Sequence, residues 1–142
     1  MPDNDETASK KADSMRTPEL HLLDTITAID ASHADAVVVS GSHGGASSTG
    51  FVLRAPARPR AVFFNDAGVG KDRAGVTALE ALDAIGVACA VYSHDSARIG
   101  DALDGYENGV VTEANRAARA AGIRAEQRVR DAVGALRAAA SV

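Results

Sequence analysis

Three short polar stretches hold most of the side chains able to do chemistry: 41–45, 65–72 and 93–98. In Gly41-Ser42-His43-Gly44-Gly45, the paired glycines allow close backbone approach to a ligand and offer N–H groups. His43 is the natural proton-handling group there. Ser42 and His43 are neighbours, so in an extended chain they point oppositely and cannot form a dyad together. In Asn65-Asp66-Ala67-Gly68-Val69-Gly70-Lys71-Asp72, a glycine-rich turn carries one cation suited to a carboxylate or phosphate. Asp66 lies just beyond an apolar run, where a buried carboxylate needs a partner. Asp72 reads as a helix N-cap. Ser93-His94-Asp95-Ser96-Ala97-Arg98 gathers a hydroxyl, an imidazole, a carboxylate and a guanidinium. Ser93 is a candidate nucleophile, His94 a proton carrier and Arg98 an oxyanion clamp, with Asp95 or Ser96 capping the next helix.

Several better-defined motifs are excluded. A phosphate-binding P-loop needs glycine where Asn65 stands and Ser or Thr where Asp72 stands. A dinucleotide fingerprint fails because Arg73 occupies its third glycine position. No Gly-x-Ser-x-Gly elbow surrounds Ser93. Caspase-like cysteine peptidases also place His-Gly after a strand, but their second strand ends in a cysteine, and here Asn65-Asp66-Ala67-Gly68 follows. His43, Asp66 and His94 lack His-x-His or His-Glu-x-x-His spacing, so no metal and no cofactor are assigned. His21 and His33 read as structural. Cys89 alternates with Val87 and Val91 and reads as a buried apolar filler.

Apolar runs must position these loops. Ala36–Ser40, Ala61–Phe64 and Val87–Tyr92 read as buried strands, each feeding one of the three stretches. Thr17-Pro18-Glu19 resembles a helix start, and Leu22, Leu23, Ile26 and Ile29 share a helical face, so a first helix is expected over 18–30. A short helical crossover is expected over 46–55. A further helix carries Val76, Leu79 and Leu82 and stops at Gly86. Ile99, Ala102, Leu103 and Tyr106 form another stripe. Val110-Val111-Thr112 is either a fourth strand or the start of helix 113–121, and a last helix is expected over 124–139. Residues 1–16 are polar and read as a disordered tail. The expectation for 17–142 is one compact three-layer α/β domain, with a mostly parallel sheet of 3–4 strands flanked by helices. In such sheets ligands bind outside the C-terminal strand ends, where all three polar stretches fall.

Composition narrows the function classes. Apolar residues make up 46% of the 142, but 30 of them are alanine and only 4% of the chain is aromatic. That argues against aromatic platforms for sugars or bases. A single cysteine excludes an intrachain disulfide. The net charge of −4 splits into −1 over 1–16, −7 over 17–114 and +4 over 115–142. The acidic body disfavours nucleic acid, and the C-terminal arginines read as a solvated face. No membrane span and no secretory signal are present in the sequence, so a cytoplasmic setting is expected. The functional expectation is a small enzyme using acid/base chemistry, of hydrolase, lyase or isomerase type, on a small anionic or amide-bearing metabolite. His43, Asp66, Ser93 and His94 would be catalytic. Ser42, Gly44, Gly45, Asn65, Gly68, Gly70, Lys71 and Arg98 would bind. The alternative is a non-catalytic ligand-binding or accessory subunit of an oligomeric complex. Alanine-rich helices in so short a chain also point to a homo-oligomer.

Overall fold

Runs of β-branched and aromatic residues with no polar alternation need cover on both faces. The computed structural model, which describes residues 17–140, provides it. The expected tail over 1–16 lies outside the described residues. Strands β1 (Leu20–Leu23), β2 (Val37–His43), β3 (Ala61–Asn65), β4 (Ala88–Tyr92) and β5 (Val111–Ala114) form one sheet in sequential order. The first four run parallel and β5 is antiparallel to β4. The helices are α1 (Ala46–Arg54), α2 (Thr77–Asp83), α3 (Ala102–Asn108), α4 (Arg116–Ala120) and α5 (Val129–Ala140).

The α/β class, the mostly parallel sheet and the helical layers agree with the sequence; the strand count does not. The fifth strand is β1, in place of the helix expected over 18–30. The backbone of 20–23 pairs with 37–40, and the Val37 N–H donates to the Glu19 carbonyl at 2.8 Å. Thr25 and Asp30 then cap two short 3-10 turns, Ile26–Ala28 and Ala31–His33. The spacing of Leu22, Leu23, Ile26 and Ile29 fits a four-residue strand plus a capped turn as well as one helical face. Leu22 is 37% exposed at the edge of the sheet. The last helix also starts late, at Val129, because 126–127 pair with Val111: Val111 N–H donates to the Gln127 carbonyl and Glu126 N–H to that of Val111. The stripe on α3 is broken too. Ala102 is buried, whereas Ile99 and Leu103 are 50% and 53% exposed.

One sheet face packs Val38, Val62, Phe64, Cys89 and Val91 against Ile26, Val52, Leu79 and Leu82, so all three parallel crossovers lie on that side. The other face packs Val37, Val39, Phe63 and Tyr92 under Val129, Val133 and Leu136, with α3 laid across β2 and β1 and against α5. The chain therefore leaves β3 and β4, which are neighbours, toward opposite faces. That divergence falls at their C-terminal ends, the place where open α/β sheets take ligands. No described helix is long and apolar enough to cross a membrane.

Candidate functional site

The three polar stretches meet at one sheet edge, since they follow adjacent parallel strands. His43 closes β2 opposite Asn65, and Asn65 closes β3 opposite Tyr92. Gly41 is required by a close approach. A Cβ there would lie 2.6 Å from the Asp101 amide nitrogen and 2.7 Å from the Asp24 carbonyl oxygen. The Gly100 N–H donates to the Gly41 carbonyl at 2.7 Å, so the loop ahead of α3 is fastened to β2.

Asp66 is the centre of the arrangement. It is buried, 5% exposed, at the divergence of β3 and β4. Its Oδ1 accepts from the Gly68 N–H at 2.8 Å and the His94 N–H at 3.0 Å, and faces His94 Nδ1 at 3.2 Å. Thr112 Oγ1 donates to Oδ2 at 3.3 Å. An ionised carboxylate only accepts, so these donors suit its charge and orient the imidazole. A carboxylate stands at each ring nitrogen of His94: Asp66 at Nδ1 and Asp95 at Nε2. Nε2 lies 3.3 Å from Oδ1 of exposed Asp95. Gly68 makes room for the ring: a Cβ there would stand 3.5 Å from His94 Cε1, and its φ of +75° is one that side chains rarely adopt.

His43 is held differently. The Gly45 N–H donates to its Nδ1 at 3.0 Å, so the ring proton sits on Nε2. Ser48 Oγ lies 3.5 Å from the same Nδ1. No buried side-chain nitrogen or oxygen among the described residues lacks a partner, so His43 Nε2, which has none, reaches solvent.

Other expected site residues have internal duties. Ser42 Oγ accepts from the Ile26 N–H at 3.0 Å. Asn65 is fully buried; it donates to the Ala97 carbonyl at 3.1 Å and accepts from Ala67 N–H at 2.8 Å. Ser93 Oγ accepts from the Asp95 N–H at 3.0 Å, forming a local turn. The Gly44 and Gly70 amides donate to the Asn65 and Gly68 carbonyls. With Gly45 and Gly68 bonded to His43 and Asp66, all four glycine amides are already occupied within the chain. Arg98 lines a cavity of about 280 Å³ with Asp101, Leu103, Asp104 and Glu107. Its amide donates to Asp104 Oδ2 at 2.7 Å. That bond, with a second from Asn108, holds the Asp104 carboxyl below its ordinary range.

Lys71 is exposed and opens a 3-10 segment, Lys71–Val76, in which Asp72 and Arg73 have φ of 55° and 59°. The α-helix begins only at Thr77. Lys71 is thus not at an α-helix N-terminus, and Asp72 is not its cap. Asp95 and Ser96 do not cap α3 either; Asp101 does, accepting from the Asp104 N–H at 2.9 Å. From Ala67 to Arg73 every residue except Lys71 has a positive φ, Val69 included. Such strain persists only where surrounding contacts impose it, and it clusters at functional loops. Arg73 pairs with Glu113 at 2.6 Å, pinning this loop to β5. Thr112 is the contact that sequence reasoning missed; only its place on antiparallel β5 brings it to Asp66. No family model, curated protein or solved structure matches the chain.

Proposed function

We propose that this edge is the active site of an enzyme using acid/base chemistry on a small anionic or amide-bearing metabolite, with His94 as the base. One observation carries the reading: buried Asp66 faces His94 Nδ1 while also accepting the His94 backbone N–H. A carboxylate so placed orients the ring and stabilises the imidazolium formed when Nε2 takes a proton. Asp95, at the other nitrogen, is exposed and free to swing away from an incoming substrate.

Lys71 supplies an anchor for an anionic group. Among the described residues it makes no ion pair, and an unpaired exposed cation beside a strained loop costs the fold little. Ser93 acts in substrate contact rather than as a nucleophile, because its hydroxyl has no base beside it in the turn. A cytoplasmic homo-oligomer belongs to the same proposal. Ile99 and Leu103 give it an exposed apolar face.

The test is turnover of a panel of small carboxylates, phosphates and amides by the full chain and by His94→Gln. A positioned general base contributes about 10²–10⁴-fold, and a loss of that size is expected in the variant. Saturable binding with no turnover of any member, unchanged in His94→Gln, would make the protein a ligand-binding subunit instead.

A further inference from the structure

Two helices of the layer opposite the crossovers have exposed stripes that no described segment covers. On α3, Leu103 and Glu107 stand four residues apart on one face, and both are exposed. They line the cavity of about 280 Å³ together with Arg98, Asp101 and Asp104, so three carboxylates there face one guanidinium. Asp104 is engaged by the Arg98 N–H and by Asn108, and Asp101 by its cap. Glu107 makes no ion pair among the described residues. On α5, Arg130 and Gly134 also stand four residues apart and exposed, and Arg130 makes no ion pair among the described residues either. Gly134 has no reason inside one chain. Glycine weakens a helix interior, its φ here is not positive, and a Cβ would meet nothing within 4 Å. The two helices belong to one layer. The Val129 N–H, at the start of α5, donates to the Gly109 carbonyl, just past α3, at 2.9 Å, and the helices pack on each other. Arg137 Nε donates to the Pro18 carbonyl at 2.8 Å, which brings the far end of α5 to the β1 side.

We propose that this layer docks on a second copy of the chain, with α3 of one copy lying antiparallel on α5 of the other across a two-fold axis. The inference rests on the reading of the chain as a homo-oligomer and goes beyond it by naming what covers Leu103. The register follows from the spacing. When Glu107 meets Arg130 of the other copy, Leu103 lies one turn back along α3 and Gly134 one turn on along α5. Both steps are four residues, about 6 Å, so in an antiparallel pair the leucine falls on the glycine. The missing Cβ lets the helices approach and leaves a hollow for the leucine, as a ridge enters a groove. Arg130 adds the cation that the acidic cavity beside Glu107 lacks. Two-fold symmetry makes each contact twice. A second copy is favoured over an unrelated basic partner because this chain itself carries the complementary stripe, a cation and a glycine at the matching interval.

Sedimentation of the full-length chain reads the association, and circular dichroism checks the fold of each variant. The wild-type chain should dimerise at high micromolar concentration. Glu107→Arg and Arg130→Glu should each weaken the dimer by about tenfold or more, because each creates a like-charged contact twice. An equal mixture of the two variants should recover the dimer, since a mixed pair has opposite charges at both contacts. An ion pair within one chain could not give that recovery. Gly134→Leu should abolish the dimer while raising the melting temperature at concentrations where the wild type is monomeric, because the helix gains propensity. A monomeric wild type, charge variants that associate as the wild type does, or a mixture no more associated than its components would each overturn the proposal. If the wild type and every variant share one oligomeric mass, the homo-oligomer reading stands and only this pairing falls.

Discussion

Asp66 shows how one side chain decides several others. Replacing it with Asn keeps the shape but turns one acceptor into a donor. Either orientation of the amide aims N–H at a donor or weakens the bonds to Gly68 and His94. We expect Asp66→Asn to lose about 2–3 kcal/mol of stability, read from chemical denaturation, because buried partners are left unsatisfied. The His94 ring should lose its buried carboxylate partner as well, and turnover should fall with it. An unchanged stability would mean that the carboxylate is not the buried acceptor described. Lys71 is the contrasting case. Lys71→Met should leave stability within about 0.5 kcal/mol, as for an ordinary exposed residue, while weakening a carboxylate ligand by about 1.5–3 kcal/mol. Thermal melts alongside carboxylate titrations separate the two effects. A large drop in melting temperature with unchanged affinity would make the lysine structural. Which side chains have the chemistry to react is legible from their types. Which glycine amides remained available was not, since composition does not say whether Asn65, His43 or a ligand fills each bond.

At the scale of elements, β2, β3 and β4 were legible because buried parallel strands read as unbroken β-branched runs. The strand β1 was not. Four residues satisfy helical and extended spacing alike, and pairing with the distant segment 37–40 decides between them. The same limit hid α3's start, which is set by Asp101 and by the fastening of Gly100 to Gly41. Gly41→Ala should disrupt that junction, because the new methyl meets backbone on both sides rather than a flexible side chain. A loss of about 1–3 kcal/mol is expected, with the largest rise in amide exchange over 98–102. If exchange rises uniformly instead, the junction is not the site of the damage. The Arg98–Asp104 bond adds a pH dependence to this region. The Asp104 carboxyl titrates below its ordinary value when folded, first through the Arg98 N–H and then through Asn108. Its stabilising contribution is therefore complete above the ordinary carboxylate range and is lost as pH falls through the folded value. The protection of the Arg98 amide against exchange, relative to its intrinsic rate, should decline over that acidic window. Constant protection through it would show that Asp104 does not hold this loop.

The whole molecule is asymmetric in what it leaves open. A sequential parallel sheet puts all its crossovers on one face and leaves β1 and β5 as edges. On β5, Val111 stands opposite Tyr92 of β4 and bonds the 126–127 turn through both its backbone groups. On β1, the inward backbone groups bond β2, and no described segment pairs with the outward ones. Leu22 stands on that edge at 37% exposure, and Leu103, on the helix laid over the same strand, at 53%. Ile99 adds a third exposed apolar side chain just ahead of that helix. Open edges beside apolar groups favour pairing with another chain. The net charge of −4 is small for a chain of 142 residues and opposes self-association only weakly. We therefore expect a homo-oligomer formed through the β1–α3 side, leaving the C-terminal ends of β3 and β4 uncovered. Light scattering at high micromolar concentration should give at least twice the chain mass. The double variant Ile99→Lys with Leu103→Lys should shift the mass toward that of one chain while its circular dichroism stays the same, because neither side chain belongs to the core. The Asp66–His94 contact should persist in that variant, since the pair lies within one chain. A wild-type chain that remains monomeric throughout would remove this interface and leave the edge protected only by the shortness of β1.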